Sequence, residues 1–184
     1  MNFNKHSELI GQHAFLSPSG SYWLNYSSDK LESVYLRSLA TKRGTELHEL
    51  AAKCIELGVK LPRSNKTFDR FVNDAIGYRL KTEQVLFYSI NCFGTADAIG
   101  FYKDFLRIHD LKTGTIPTSM KQLEVYAALF CLEYDVSPMS IGMELRKYQL
   151  DEIMIVQPDP DEIRFIMDKI IEFDKRIQIL KLEG

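Results

Sequence analysis

Residues 94–126 read GTADAIGFYKDFLRIHDLKTGTIPTSMKQLEVY, and this stretch decides the fold. Thr95 to Tyr102 reads as one strand and Phe105 to Lys112 as the next, with Lys103-Asp104 as the turn between them. A turn that short joins antiparallel neighbours. Thr113 to Ser119, with Gly114 and Pro117, is a loop. Ser119 to Tyr134 then carries Leu123, Tyr126, Ala127, Phe130, Cys131 and Tyr134 along one side, the spacing of a helix.

Working outward, Val85 to Ile90 is rich in β-branched and aromatic residues. Asn91-Cys92-Phe93-Gly94 reads as the turn after it, which completes a three-stranded meander. Upstream, apolar residues from about Ser33 recur at helical spacing through Ile55. A break is expected near Arg43-Gly44-Thr45, and a second helix runs from Asn65-Lys66-Thr67 to Gly77. Tyr22 to Tyr26 reads as a short helix, and 1–15 as a polar tail. Downstream, Ser140–Tyr148 and Glu152–Val156 read as two further strands. Pro158-Asp159-Pro160 is a stop, and Asp161–Leu182 a long closing helix. The order predicts an α/β (α+β) fold: a central mixed sheet, with an antiparallel three-stranded meander, flanked by helices. At 184 residues the length predicts one domain, with its core at about 33–156, an N-terminal extension over 1–32 and a C-terminal helix at about 159–182.

Composition removes several classes of function. Cys54, Cys92 and Cys131 are far apart and form no CxxC pair, which argues against zinc and iron–sulfur sites and for free thiols in a reducing cytoplasm. No apolar run approaches the ~20 residues of a membrane span. The first residues show no apolar segment of the secretory kind. A net charge of −2 gives no bulk attraction to nucleic acid, so DNA binding must come from local basic patches and bound metal. Arg37, Lys42, Arg43, Lys103 and Arg107 are candidate backbone contacts.

The chemistry lies in the opening stretch. Asp110 and Lys112, two apart on a strand, project from one face. A carboxylate there can bind Mg²⁺ or Mn²⁺, while the lysine positions water or offsets developing negative charge. Asp97 precedes Asp110 by thirteen residues, and a hairpin folded at Lys103-Asp104 sets the two opposite or nearly so. The Leu111 carbonyl can add an oxygen ligand, and His48, on the long upstream helix, an imidazole. Gln122 and Tyr126 share a helix face at i,i+4 and can meet a phosphate or orient a water. Glu83 opens the first strand and is placed no closer than an outer position. His109 points away from Asp110 and reads as structural. His6 and His13 are unassigned. Each motif alone is commonplace; the weight comes from their joint occurrence in this order.

Gly44-Thr45-x-x-His48, Gly94-x-x-Asp97, Asp110-x-Lys112-Thr113-Gly114 and Gln122-x-x-x-Tyr126 together resemble the PD-(D/E)XK nuclease superfamily, in its RecB-type branch. That branch includes the RecB nuclease domain and the CRISPR-associated exonucleases. The resemblance covers roughly 33–135, and Leu16-Ser17-Pro18-Ser19 is weakly similar to the opening of phage-encoded members. It implies a restriction-endonuclease-like core and metal ligation by His48, Asp97 and Asp110. Lys112 would be the catalytic lysine, supported by Gln122 and Tyr126. Ala96 stands where the superfamily's name has proline. The cysteines that hold an iron–sulfur cluster in several relatives are missing, so no cluster is expected. The implied activity is a Mg²⁺- or Mn²⁺-dependent deoxyribonuclease, by analogy an exonuclease in phage or mobile-element recombination, replication or repair, located in the bacterial host cytoplasm. The implied partners are DNA ends, a helicase, recombinase or single-strand-binding protein, and further copies of the chain in a homo-oligomer. The alternatives are a structure-specific endonuclease, or a nucleic-acid-binding or interaction module without turnover.

Overall fold

The computed structural model describes residues 5, 7 and 11–183; the rest of the expected polar tail, His6 included, lies outside them. The chain divides into two compact units, Met1–Arg43 and Gly44–Gly184. In the first, a 3-10 segment spans Pro18–Asn25, where a short helix over Tyr22–Tyr26 is expected. Pro18 fits its first position, where the missing N–H is no loss. Trp23 Nε1 donates to the Ser17 carbonyl at 2.9 Å, which ties the segment into a closed turn. Helix α1 (Ser28–Glu56) begins in this unit and ends in the next. It starts five residues before the apolar pattern suggests, because the Ser27 hydroxyl accepts from the Lys30 N–H and caps it. It also runs unbroken through Gly44.

The second unit is α+β. Its single sheet holds β1 (Lys81–Ser89), β2 (Cys92–Tyr102), β3 (Phe105–Leu111), β4 (Gly142–Gln149) and β5 (Glu152–Val156), in that spatial order. β1, β2 and β3 form the expected meander. β4 lies parallel to β3 and antiparallel to β5, so the sheet is mixed. A parallel neighbour requires a crossover, and α3 (Lys121–Glu133) provides it. β3 is therefore covered on both faces. Leu106 and Ile108 pack with Leu123 and Ala127 of α3, and with Ile163 of α4 (Pro160–Glu183). Leu111 and Tyr148 pack on the other side, with Ala51 of α1 and with Phe71 and Val72 of α2 (Thr67–Tyr78). Burial at about 25 cal/mol per Å² of apolar surface is the main term holding these layers together.

Three boundaries around β1 differ from expectation. α2 does not stop at Gly77; Arg79 ends it in the left-handed region (φ 57), and the Leu80 N–H closes the last turn on the Ala75 carbonyl. β1 starts at Lys81 rather than Val85. The expected turn over Asn91–Gly94 narrows to Ile90-Asn91, because Cys92 and Phe93 already pair with Ser89 and Phe87. These shifts matter for function, since the longer β1 carries Glu83 into the sheet.

Candidate metal centre

Three acids sit at one level on adjacent strands. Glu83 falls between the Thr82–Ala98 and Gln84–Ala96 pairs, which puts it beside Asp97. Asp97 in turn lies one position beyond the Ala98–His109 pair, beside Asp110. The hairpin argument for Asp97 and Asp110 therefore holds. His48, on the part of α1 within the second unit, reaches the row from above, with Nδ1 at 3.3 Å from Asp97 Oδ1. One potential ligand atom from each of His48, Glu83 and Asp97 lies within 4.8 Å of the others.

Glu83 is the residue that sequence reasoning undervalued. With the strand begun at Val85, its pairing is not visible; counting back from a two-residue turn at Ile90-Asn91 sets it opposite Ala98, and the bulge between Phe87 and Ser89 moves it by one residue to face Asp97. Its backbone is left-handed (φ 48) inside a strand. A non-glycine residue there costs on the order of 1–3 kcal/mol, and such strain gathers at functional sites.

The two oxygens of Asp110 differ. Oδ1 accepts from Lys112 Nζ at 2.9 Å. Oδ2 is buried and has no hydrogen-bond partner among the described residues. Leaving a buried acceptor bare costs about 1–3 kcal/mol, more when it is charged. Burial raises the Asp110 pKa, and the Asp97 charge raises it further; Lys112 and His48 pull it back down. Glu83 is likewise raised, first by burial and then by Asp97. His48 is raised by its bond to Asp97, against the opposing effect of burial. Asp110 and Glu83 therefore hold protons more readily than free carboxylates, and a divalent cation would answer the same deficit of positive charge. Hard oxygen donors with one imidazole suit Mg²⁺ or Mn²⁺.

The remaining expected residues form a chain of hydrogen bonds leading away from Asp110. Lys112 Nζ also donates to Gln122 Oε1 at 2.7 Å. Gln122 Nε2 donates to the Tyr126 hydroxyl at 3.2 Å, and that hydroxyl donates to the Thr95 carbonyl at 2.7 Å. The lysine is thus held between a carboxylate and an amide whose orientation is itself fixed. Gly94 explains why the tyrosine can lie there: a Cβ at Gly94 would sit 2.9 Å from Tyr126 Cε1. Gly44 acts in the same way for the loop after β3, where a Cβ would meet Thr113 Oγ1 at 2.9 Å. Both motif glycines therefore permit close approach around the site. Leu111 enters through its N–H, which donates to Asp97 Oδ2 at 2.7 Å and fixes that carboxylate. Lys147, paired with Asp110 on β4, turns its ammonium to the Thr118 carbonyl and anchors the loop.

Arg107 is not available to a DNA backbone in the way the sequence suggests. Its guanidinium pairs with Glu144 at 3.3 Å and stacks on Tyr78 and Phe105. His109 is fully buried against Tyr148 on the opposite face from Asp110, as expected. No helix among the described residues is long and apolar enough to cross a membrane. No protein-family model matches the chain, and no curated protein matches it either.

Proposed function

We propose that this chain is a metal-dependent hydrolase of DNA phosphodiester bonds, related to the RecB-type branch of the PD-(D/E)XK nucleases. The observation that carries the reading is the bare, buried Asp110 Oδ2 at the end of the Glu83–Asp97–Asp110 row, with the Lys112 ammonium held on the other oxygen. A purely structural acid in that position would be expected to have both oxygens satisfied.

His48, Glu83, Asp97 and Asp110 would hold Mg²⁺ or Mn²⁺. The bound cation would polarise the scissile phosphate and acidify a water. Asp97 is kept in place by the Leu111 N–H and His48, so its geometry is set in advance. Lys112 carries positive charge to the edge of the site, where the attacking water and the developing negative charge need it. Gln122 holds that ammonium and is itself oriented by Tyr126, which leaves one proton of its amide to meet a phosphate oxygen. The resemblance favours an exonuclease, with a helicase or recombinase partner to supply the ends.

The test uses end-labelled linear DNA and covalently closed circles, single- and double-stranded, with Mg²⁺ or Mn²⁺. Asp110→Ala and Lys112→Ala are expected to lower cutting by at least about 10²–10³-fold, the usual cost of losing a group that stabilises transition-state charge. Loss of linear DNA alone identifies the exonuclease and its polarity. Nicked circles identify an endonuclease. Uncut substrates throughout, with both variants behaving like wild type, contradict the proposal.

A further inference from the structure

β2 leads from the acidic row to a different kind of surface. Two grooves, of about 380 and 440 Å³, share Arg79, Gly100 and Phe101 at the start of β1. Among the described residues their linings hold the cations Arg79, Lys81 and Arg107 and no carboxylate. On a chain of net charge −2, that is a local reversal of sign. The Arg107 charge is already met by Glu144. The Arg79 and Lys81 side chains are exposed and enter no hydrogen bond or ion pair among the described residues. Neither is held by the fold, so both are available to a ligand.

The same grooves are walled by rings. Tyr102 is 71% exposed and Tyr134 51% exposed, with Phe101 and Tyr78 also open to solvent. Lys103 lies over the Tyr102 ring at 5.2 Å and adds a further cation at the mouth. Unpaired cations beside exposed aromatic faces are what unpaired nucleic acid requires: charge for the phosphates and flat apolar surfaces for the bases. Duplex DNA keeps its bases stacked inside and could not use the rings. Phe101 lies four residues along β2 from Asp97. At about 3.3 Å per residue the groove thus begins roughly 13 Å from the acidic row, within reach of one continuous strand.

We infer that the Arg79–Lys81 groove, with Phe101, Tyr102 and Tyr134, binds a single-stranded polynucleotide and feeds it towards the acidic row. The inference builds on the nuclease reading but is tested without cutting. Binding of fluorescein-labelled dT12 is followed by fluorescence anisotropy in EDTA, with wild type, Arg79→Glu/Lys81→Glu and Tyr102→Ala. The double variant should weaken binding at least tenfold. It should also flatten the slope of log K against log salt by about 0.7 for each phosphate no longer neutralised. Tyr102→Ala should weaken binding with the slope unchanged. Lys175→Glu/Arg176→Glu on α4 makes the same change in net charge elsewhere and should leave the affinity unchanged. Arg79→Lys should keep most of the binding that a charge reversal there removes, and circular dichroism checks that each variant is folded.

Equal weakening by both double variants would reduce the effect to bulk charge and overturn the inference. So would wild type that does not bind dT12, or tighter binding of a blunt duplex. DNA cut by the wild type with affinity untouched by the groove variants sinks the groove and spares the nuclease. Binding through the groove without any cutting does the reverse.

Discussion

Two polar clusters lie one residue apart on β3, on opposite faces of the sheet, and they are built by opposite rules. Around His109, Arg107 and Arg146 face Asp74 and Glu144. Arg146 alone meets Glu144 at 2.9 Å, Asp74 at 3.3 Å and the Tyr78 hydroxyl at 2.8 Å. The Tyr148 hydroxyl donates to Asp74 at 2.8 Å, so its contact with His109 Nδ1 is one in which the histidine donates. Burial and the two nearby guanidinium groups push His109 down to about 3, which leaves the ring neutral. Arg107 Nε and His109 Nε2 make no hydrogen bond among the described residues, but the first belongs to an ion pair and the second to an uncharged ring. Each half-buried charge in this cluster has its opposite. Around Asp110, the row of Glu83, Asp97 and Asp110 faces one lysine and one histidine, and among the described residues an Asp110 oxygen is left bare. The first cluster is balanced in charge without a ligand, and the second is not. Partnered charge marks structure; an unpartnered buried charge marks a place where something else binds.

The sharpest way to break the contrast is to remove Arg146. Arg146→Met strands the half-buried Asp74 and Glu144 and is expected to cost up to about 3–5 kcal/mol, the loss when one partner of a fully buried pair goes. Urea unfolding measures it. A loss below about 1 kcal/mol, the range of an exposed pair, would mean that the compensated cluster is no more structural than its neighbour.

Asp110→Asn should do the opposite in the metal-free chain. It removes one of the clustered charges, so Tm in EDTA should rise, by about 2–4 °C for each kcal/mol relieved in a chain of this size. Excess Mn²⁺ should reverse the order, because wild type gains about 2.7 kcal/mol at 100 times Kd and the variant gains less. A scan that leaves wild type ahead in both conditions would make Asp110 an ordinary structural acid.

The smallest effect is in the pH profile. Asp110 and Glu83 are raised in the folded chain, so the folded state binds more protons than the unfolded one. Their contribution to stability therefore falls as pH rises from the ordinary carboxylate range through the raised values. Asp174, which accepts from Ser89, Asn91 and Gln178, is held low and has the opposite sign: it stabilises above its ordinary value and is lost as pH falls. Asp174→Asn should flatten the acid limb of the metal-free stability curve, and Asp110→Asn the limb above it. Identical profiles for the two variants would contradict this assignment.

The sheet is legible in the sequence because its signals are local. The two-residue turn at Lys103-Asp104, the β-branched and aromatic run of β1 and the helical spacing of α3 are each read from a few neighbouring residues. Asp97, Asp110 and Lys112 follow from that register, and Gln122 and Tyr126 from the helix period. What escapes depends on distance or on exceptions. Arg79 ends α2 in a conformation that favours glycine, so Gly77 looks like the stop. Glu83 joins the row only if β1 starts four residues early. Arg107 looks like a free cation because Glu144 and Tyr78, its partners, are remote in sequence.

Titration of the metal-free chain with Mn²⁺ by isothermal calorimetry, beside Glu83→Gln, Asp97→Asn and Asp110→Asn, tests the central claim most directly. The account predicts saturable binding to wild type that weakens as pH falls, beginning above the ordinary histidine value because His48 is raised. It also predicts a clear loss of affinity in all three variants. No saturable binding at neutral pH, or equal binding by wild type and all three variants, would contradict it.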